Sequence, residues 1–187
     1  MWSVFDESRD VDFNSVAWIR DGGNVLVDPL PMSDADLAQL EGLGGASVIV
    51  ITNSDHVRDS VALARRFGAR IAGPAAERDG FAVACDGWLG DGDEVVSGLH
   101  AIEMYGSKTH GELALLLEDS TLITGDLVRG QRGGALNLLP DAKLTDKESA
   151  LRSVRRLADL PNVDAVLVGD GWPVFAGGRA LLTALIA

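Results

Sequence analysis

The chain has 187 residues and a mass of 19.7 kDa, with 47% hydrophobic and 24% charged residues, which suits one folded domain and excludes a disordered chain. Sixteen Lys and Arg face 28 Asp and Glu, and the resulting net charge of −12 argues against nucleic acid and anionic membrane surfaces as partners. The single cysteine, Cys85, excludes a disulfide framework and a cysteine-built zinc ribbon, and no apolar run nears the ~20 residues that cross a bilayer.

The first fourteen residues hold Asp6, Glu7, Asp10 and Asp12 and lack the cationic start of a signal peptide, so a cytoplasmic location is expected. Residues 12–20 and 24–28 read as two strands about the turn Asp21-Gly22-Gly23. Ser33 with Asp36 resembles a capping box for a helix to about Leu40, closed by Gly42. Residues 46–52 are an apolar run of strand length without alternation, which predicts burial on both faces. A helix is expected over 55–67, with Val57, Val61 and Ala64 inward and a stop at Gly68. A short strand near 70–73 precedes Pro74, which opens a brief helix, and 86–93 is turn-rich. Strands are expected at 99–105, 112–118 and 121–125, the last two joined by the tight turn Asp119-Ser120. Residues 128–144 read as a loop, and Thr145 with Glu148 as the capping box of a helix to about Leu160. A buried strand at 163–169 and a helix from about Gly178 close the chain. This order predicts an α/β (α+β) domain of two mixed sheets with helices outside.

Three polar loops each follow a buried strand, the usual place for sites in layered α/β folds. They are Thr52-Asn53-Ser54-Asp55-His56-Val57-Arg58-Asp59, Gly106-Ser107-Lys108-Thr109-His110-Gly111 with the later Ile123-Thr124-Gly125-Asp126, and Val168-Gly169-Asp170-Gly171-Trp172. Histidine is scarce: His56, His100 and His110 are all there are. His100 alternates outward between Leu99 and Ala101 and reads as a surface residue, and His110 beside Gly111 as a loop residue. Ser107-Lys108-Thr109 lacks the glycine frame of a phosphate loop. No Gly-x-Ser-x-Gly elbow accompanies Ser107, His110 and Asp126, which argues against a serine hydrolase.

The order of these loops resembles the metallo-β-lactamase fold superfamily, whose hydrolases show Thr-His-x-His-x-Asp-His, Gly-His-Thr-Pro-Gly, Thr-Gly-Asp and a late Gly-His-Gly. The strand Asn24-Val25-Leu26-Val27-Asp28 is similar to the one that precedes those motifs. The resemblance runs from about residue 12 to residue 175 and implies an αβ/βα four-layer sandwich of two mixed sheets, a single domain over 1–187. Placed without gaps, Asn53 and Asp55 stand where the first two histidines would be, Val57 on the aspartate and Arg58 on the last histidine. A two-residue deletion would instead put Asp55-His56 on the terminal Asp-His. Ser107 or Lys108 takes the second-motif histidine, Asp126 matches the bridging aspartate, and Asp170 stands at the Gly-His-Gly histidine. Three histidines in total cannot build the dinuclear zinc centre that the resemblance would imply.

Two readings stay open. In the first, a hydrolase for a small ester, thioester or phosphoester keeps one divalent ion (Mn, Mg, Fe or Zn) on Asp55, His56, Asp126 and Asp170. Its catalytic candidates are Asp55, His56, Arg58 and Lys108. In the second, a metal-free descendant binds a small molecule or a partner. There Arg58, with Lys108, pairs with Asp55, Asp126 or Asp170 and fills the space of the ions. Both readings expect Asp126 and Asp170 no more than ~12 Å apart, a separation already far beyond any shared ion pair or metal contact.

Overall fold

A computed structural model describes all of residues 1–187. Strands β1 (Trp2–Asp6), β2 (Val11–Trp18), β3 (Val25–Val27), β4 (Val48–Val50), β5 (Arg70–Pro74) and β6 (Gly87–Leu89) lie in that order in one sheet. β2 runs antiparallel to both β1 and β3, and β3 through β6 run parallel. A second sheet takes β7 (Glu94–Val96), β8 (Leu99–Glu103), β9 (Leu113–Leu117) and β10 (Thr121–Thr124) as an antiparallel meander. The hairpin of β11 (Val128–Arg132) and β12 (Ala135–Leu138) follows, and β13 (Ala165–Val168) then joins β10 in parallel. Helices α1 (Asp34–Gly42) and α2 (Ser60–Phe67) cover the first sheet, α3 (Lys147–Ala158) and α4 (Gly178–Ala184) the second.

The unbroken apolar runs are explained by this layering, because side chains alternate between two different interiors. Val25, Val27, Val48, Val50 and Ala72 meet Leu99, Ala101, Leu113, Leu115 and Ile123 in the core between the sheets. The intervening Leu26, Ile49, Ile51 and Ile71 turn to Leu40 of α1 and Leu63 of α2. Ala114, Leu122, Val166 and Val168 face Ala150, Val154 and Leu157 of α3 and Leu182 of α4. The expected four-layer sandwich is therefore the observed one.

Local expectations differ in instructive places. β1 has no counterpart in the reading of the sequence: its middle residues are exposed, so it carries no buried stripe to announce it. The stretch 86–93 contains β6, and 128–144 contains the β11–β12 hairpin and a 3-10 turn at Asp141–Lys143. Helix α2 begins only at Ser60, because residues Ser54–His56 form a separate 3-10 turn and Arg58 adopts a left-handed φ of 44°. Ser33 caps α1 by accepting from the Asp36 N–H, and that helix continues through Gly42 to a cap at Leu43. Asp146, not Thr145, caps α3, accepting from the N–H groups of Glu148 and Ser149. The Thr145 hydroxyl instead donates to the Ser107 carbonyl at 2.7 Å. No helix is long and apolar enough to cross a membrane.

Candidate functional site

The loops that follow β3, β4, β8, β10 and β13 open at one end of the two sheets and enclose a cleft of about 690 Å³. His56, which lines the cleft, is backed by Asp28, the residue after β3. Its carboxylate accepts from the Thr52 N–H at 2.7 Å, the Thr52 hydroxyl at 2.6 Å and His56 Nδ1 at 2.8 Å. Asp28 is acceptor-only, so His56 presents Nδ1–H to it and turns Nε2 into the cleft, 3.7 Å from Asp126 Oδ1. Burial depresses the imidazole, but Asp28 and then Asp126 outweigh it and hold His56 above the ordinary histidine value.

Asp126 follows β10 and is 1% exposed, so its charge must be met inside the protein. Lys108 Nζ lies 2.9 Å from its Oδ2 and 2.8 Å from Asp55. Arg129 Nη2 lies 2.8 Å from its Oδ1 and 2.9 Å from Asp170 Oδ2. Burial raises the Asp126 carboxyl, yet His56, Lys108 and Arg129 together hold it below the ordinary value. At Asp170 burial prevails: desolvation and the nearby Asp126 raise its carboxyl despite Arg129. Lys108 is held above its usual value because Asp55 and Asp126 overcome its own partial burial.

Arg129 is aimed by the backbone. The Gly130 N–H donates to the Asp170 carbonyl at 3.0 Å and the Trp172 N–H to the Gly130 carbonyl at 2.6 Å, so β11 docks directly on the loop after β13. A β-carbon on Gly130 would collide with the Trp172 carbonyl, which is why this approach requires glycine.

Beneath Asp126 sits Glu112, buried at the start of β9. One of its oxygens accepts from the N–H groups of Asp126 at 2.8 Å and Leu127 at 2.9 Å, and Ser107 donates its hydroxyl to the other. Burial, then repulsion from Asp126, pushes the Glu112 carboxyl up to about 7.

Of the residues singled out in the sequence, His56, Lys108, Asp126 and Asp170 converge, with Asp55 joined at the rim through Lys108. Asp126 and Asp170 lie far closer than ~12 Å, since a single guanidinium nitrogen touches both. The expected pairing of Arg58 does not occur. Its Nη1 donates to the carbonyls of Asn14 at 2.5 Å and Asp28 at 2.9 Å, because the left-handed turn at 58 points the side chain along β2. Arg129 occupies the place expected for Arg58. His110 is exposed, and His100 is half-exposed with Glu94 at 3.9 Å. Arg129 and Glu112 were not singled out. The available signals were an arginine three residues after Thr-Gly-Asp and a lone acid opening the apolar run Leu-Ala-Leu-Leu-Leu.

A family model for the metallo-beta-lactamase superfamily matches residues 1–187. The chain belongs to this superfamily. A solved metallo-beta-lactamase from Pontibacter korlensis superposes with a TM-score of 0.73 at 19% identity, over 99% of this chain and 90% of that one. The DIM-1 metallo-beta-lactamase gives 0.75 at 17% identity, over 98% of this chain and 89% of that one. A curated relative, hydroxyacylglutathione hydrolase of Acidiphilium cryptum (strain JF-5), is 32% identical over 120 residues, 60% of this chain. The match spans 49% of that relative's length.

The superfamily name implies metal, and His56, Asp126 and Asp170 offer ligand atoms within 4.8 Å of one another. The surrounding charges do not fit an ion there. An ammonium already holds one oxygen of Asp126, and one guanidinium nitrogen holds the other together with Asp170. A dication between them would face two fixed cations at contact distance.

His56→Ala should lower stability by about 1–3 kcal/mol, since it removes a hydrogen bond to the buried Asp28 carboxylate. His100→Ala should stay within ~0.5 kcal/mol. Urea denaturation of both variants checks this, and equal effects would contradict the assigned role of His56.

Proposed function

We propose that the chain is a metal-free member of the superfamily whose cleft binds a small molecule, with Lys108 and Arg129 serving the carboxylates in place of ions. One observation carries this reading: both oxygens of Asp126 and one of Asp170 have a cationic nitrogen within 2.9 Å. Arginine is permanently charged, and its fork is suited to bridging two carboxylates. The pairing also explains how the buried charge of Asp126 is tolerated.

A second reading, a metal-dependent hydrolase of a small ester, thioester or phosphoester, is supported by the cluster of His56, Asp126 and Asp170 and by the relative described as a hydroxyacylglutathione hydrolase. It requires Arg129 and Lys108 to leave their carboxylates.

Elemental analysis separates the two. Protein purified without added metal, then dialysed against Mn²⁺ or Zn²⁺ and desalted, should retain far less than one equivalent. Stoichiometric retention that is lost in Asp126→Asn would favour the hydrolase.

A further inference from the structure

Acids outnumber bases across the chain, yet in the cleft the balance is reversed. Five of the sixteen Lys and Arg line it (Arg9, Arg58, Lys108, Arg129 and Lys143) against three carboxylates, Asp55, Asp126 and Asp170. Lys108 and Arg129 pair with all three of those acids. The other three cations remain at the mouth. Arg58 gives only Nη1 to protein acceptors, leaving Nε and Nη2 without one. Lys143 is exposed with no carboxylate in contact, and Arg9 has only a loose pairing with Asp6 at 3.8 Å. The Arg9 and Arg58 guanidinium groups lie 5.5 and 5.8 Å from the ring centre of Phe13, which also lines the cleft. Three cations lining one mouth, none of them held by a close carboxylate, cost repulsion that an anion would relieve.

We propose that the cleft mouth is an oxyanion seat in which Arg58, Lys143 and Arg9 hold the carboxylate or phosphate of a small organic anion whose body rests on Phe13 and Leu30. Arginine forks and a lysine point charge are the groups that recognise such oxyanions. The proposal rests on the metal-free reading, because Lys108 and Arg129 keep the deeper carboxylates from repelling the ligand.

The test is titration calorimetry at fixed ionic strength on protein stripped of metal and dialysed free of chelator, without and with added Mn²⁺ or Zn²⁺, using inorganic phosphate, acetate and phenyl phosphate against a chloride control. Phosphate or acetate should bind, whichever oxyanion the seat takes, and phenyl phosphate should bind more tightly than phosphate through the apolar wall. Lys143→Gln and Arg9→Gln, both exposed and outside the core, should each weaken binding about fivefold with unchanged melting temperature. Arg58→Lys, which keeps the charge but loses the fork, should also weaken it. Absence of binding by all three probes both without and with added Mn²⁺ or Zn²⁺, or a Lys143→Gln/Arg9→Gln double variant that binds like wild type, overturns the seat. Binding that needs added Mn²⁺ or Zn²⁺ yet still weakens in the two variants supports the seat and overturns the metal-free reading. Binding that needs the ion and ignores the variants overturns both.

Discussion

In thermal or urea denaturation, Arg129→Ala is expected to destabilise the protein by about 3–5 kcal/mol, the range for removing one member of a buried ion pair. For a chain of this size that lowers the melting temperature by about 10 °C. The cause is the charge left behind: Asp126 and Asp170 are 1% and 3% exposed and would face each other without the guanidinium between them. Asp170→Asn in the same background should therefore recover part of the loss, a coupling expected of residues sharing one network. Arg58→Ala should cost less, since its Nη1 serves carbonyl oxygens and strands no carboxylate.

The same variant probes what the arginine replaces. Without Arg129, the donor atoms of His56, Asp126 and Asp170, within 4.8 Å of one another, lose the guanidinium that bridges the two carboxylates. Zn²⁺ or Mn²⁺ should then raise the melting temperature of Arg129→Ala by mass action and leave the wild type unmoved. A wild type stabilised as strongly as the variant would contradict the replacement of metal by arginine.

The contrast between Arg58 and Arg129 shows where sequence reading stops. The apolar runs at 46–52 and 163–169 disclose buried strands, and the order of strand-end loops discloses which carboxylates meet. Lys108 was legible because it lies in one of those loops. Which arginine completes the network depends on backbone details that spacing does not encode. A left-handed residue turns Arg58 toward β2, and a glycine-to-carbonyl approach between β11 and the loop after β13 delivers Arg129. Glu112 was hidden for a different reason. Its partners, the N–H groups of Asp126 and Leu127, lie two strands' length away along the chain and become neighbours only when β9 pairs with β10.

Glu112 should make stability fall as pH rises through neutrality. Its carboxyl is raised from an ordinary 4.5 to about 7, by burial first and by Asp126 second. Between those values the folded protein keeps a proton that the unfolded chain has released, so the stabilisation is complete below about 4.5 and gone above about 7. A shift of that size corresponds to about 3 kcal/mol over the window. His56 acts in the same direction, because its raised value means that the folded state holds the imidazolium more tightly than the unfolded chain does. Asp126 acts oppositely: its lowered carboxyl contributes stability above its ordinary value of 3.8, lost as pH falls through the lower folded one. Urea denaturation from pH 4 to pH 8.5 should thus place maximal stability in mildly acidic solution, with a decline through pH 7. Glu112→Gln keeps a carbonyl oxygen for the Asp126 and Leu127 N–H groups and carries no titratable proton. It should lose most of that decline and match or exceed the wild type at pH 8. A variant that folds yet declines as steeply as the wild type would show that the buried proton resides elsewhere in the network.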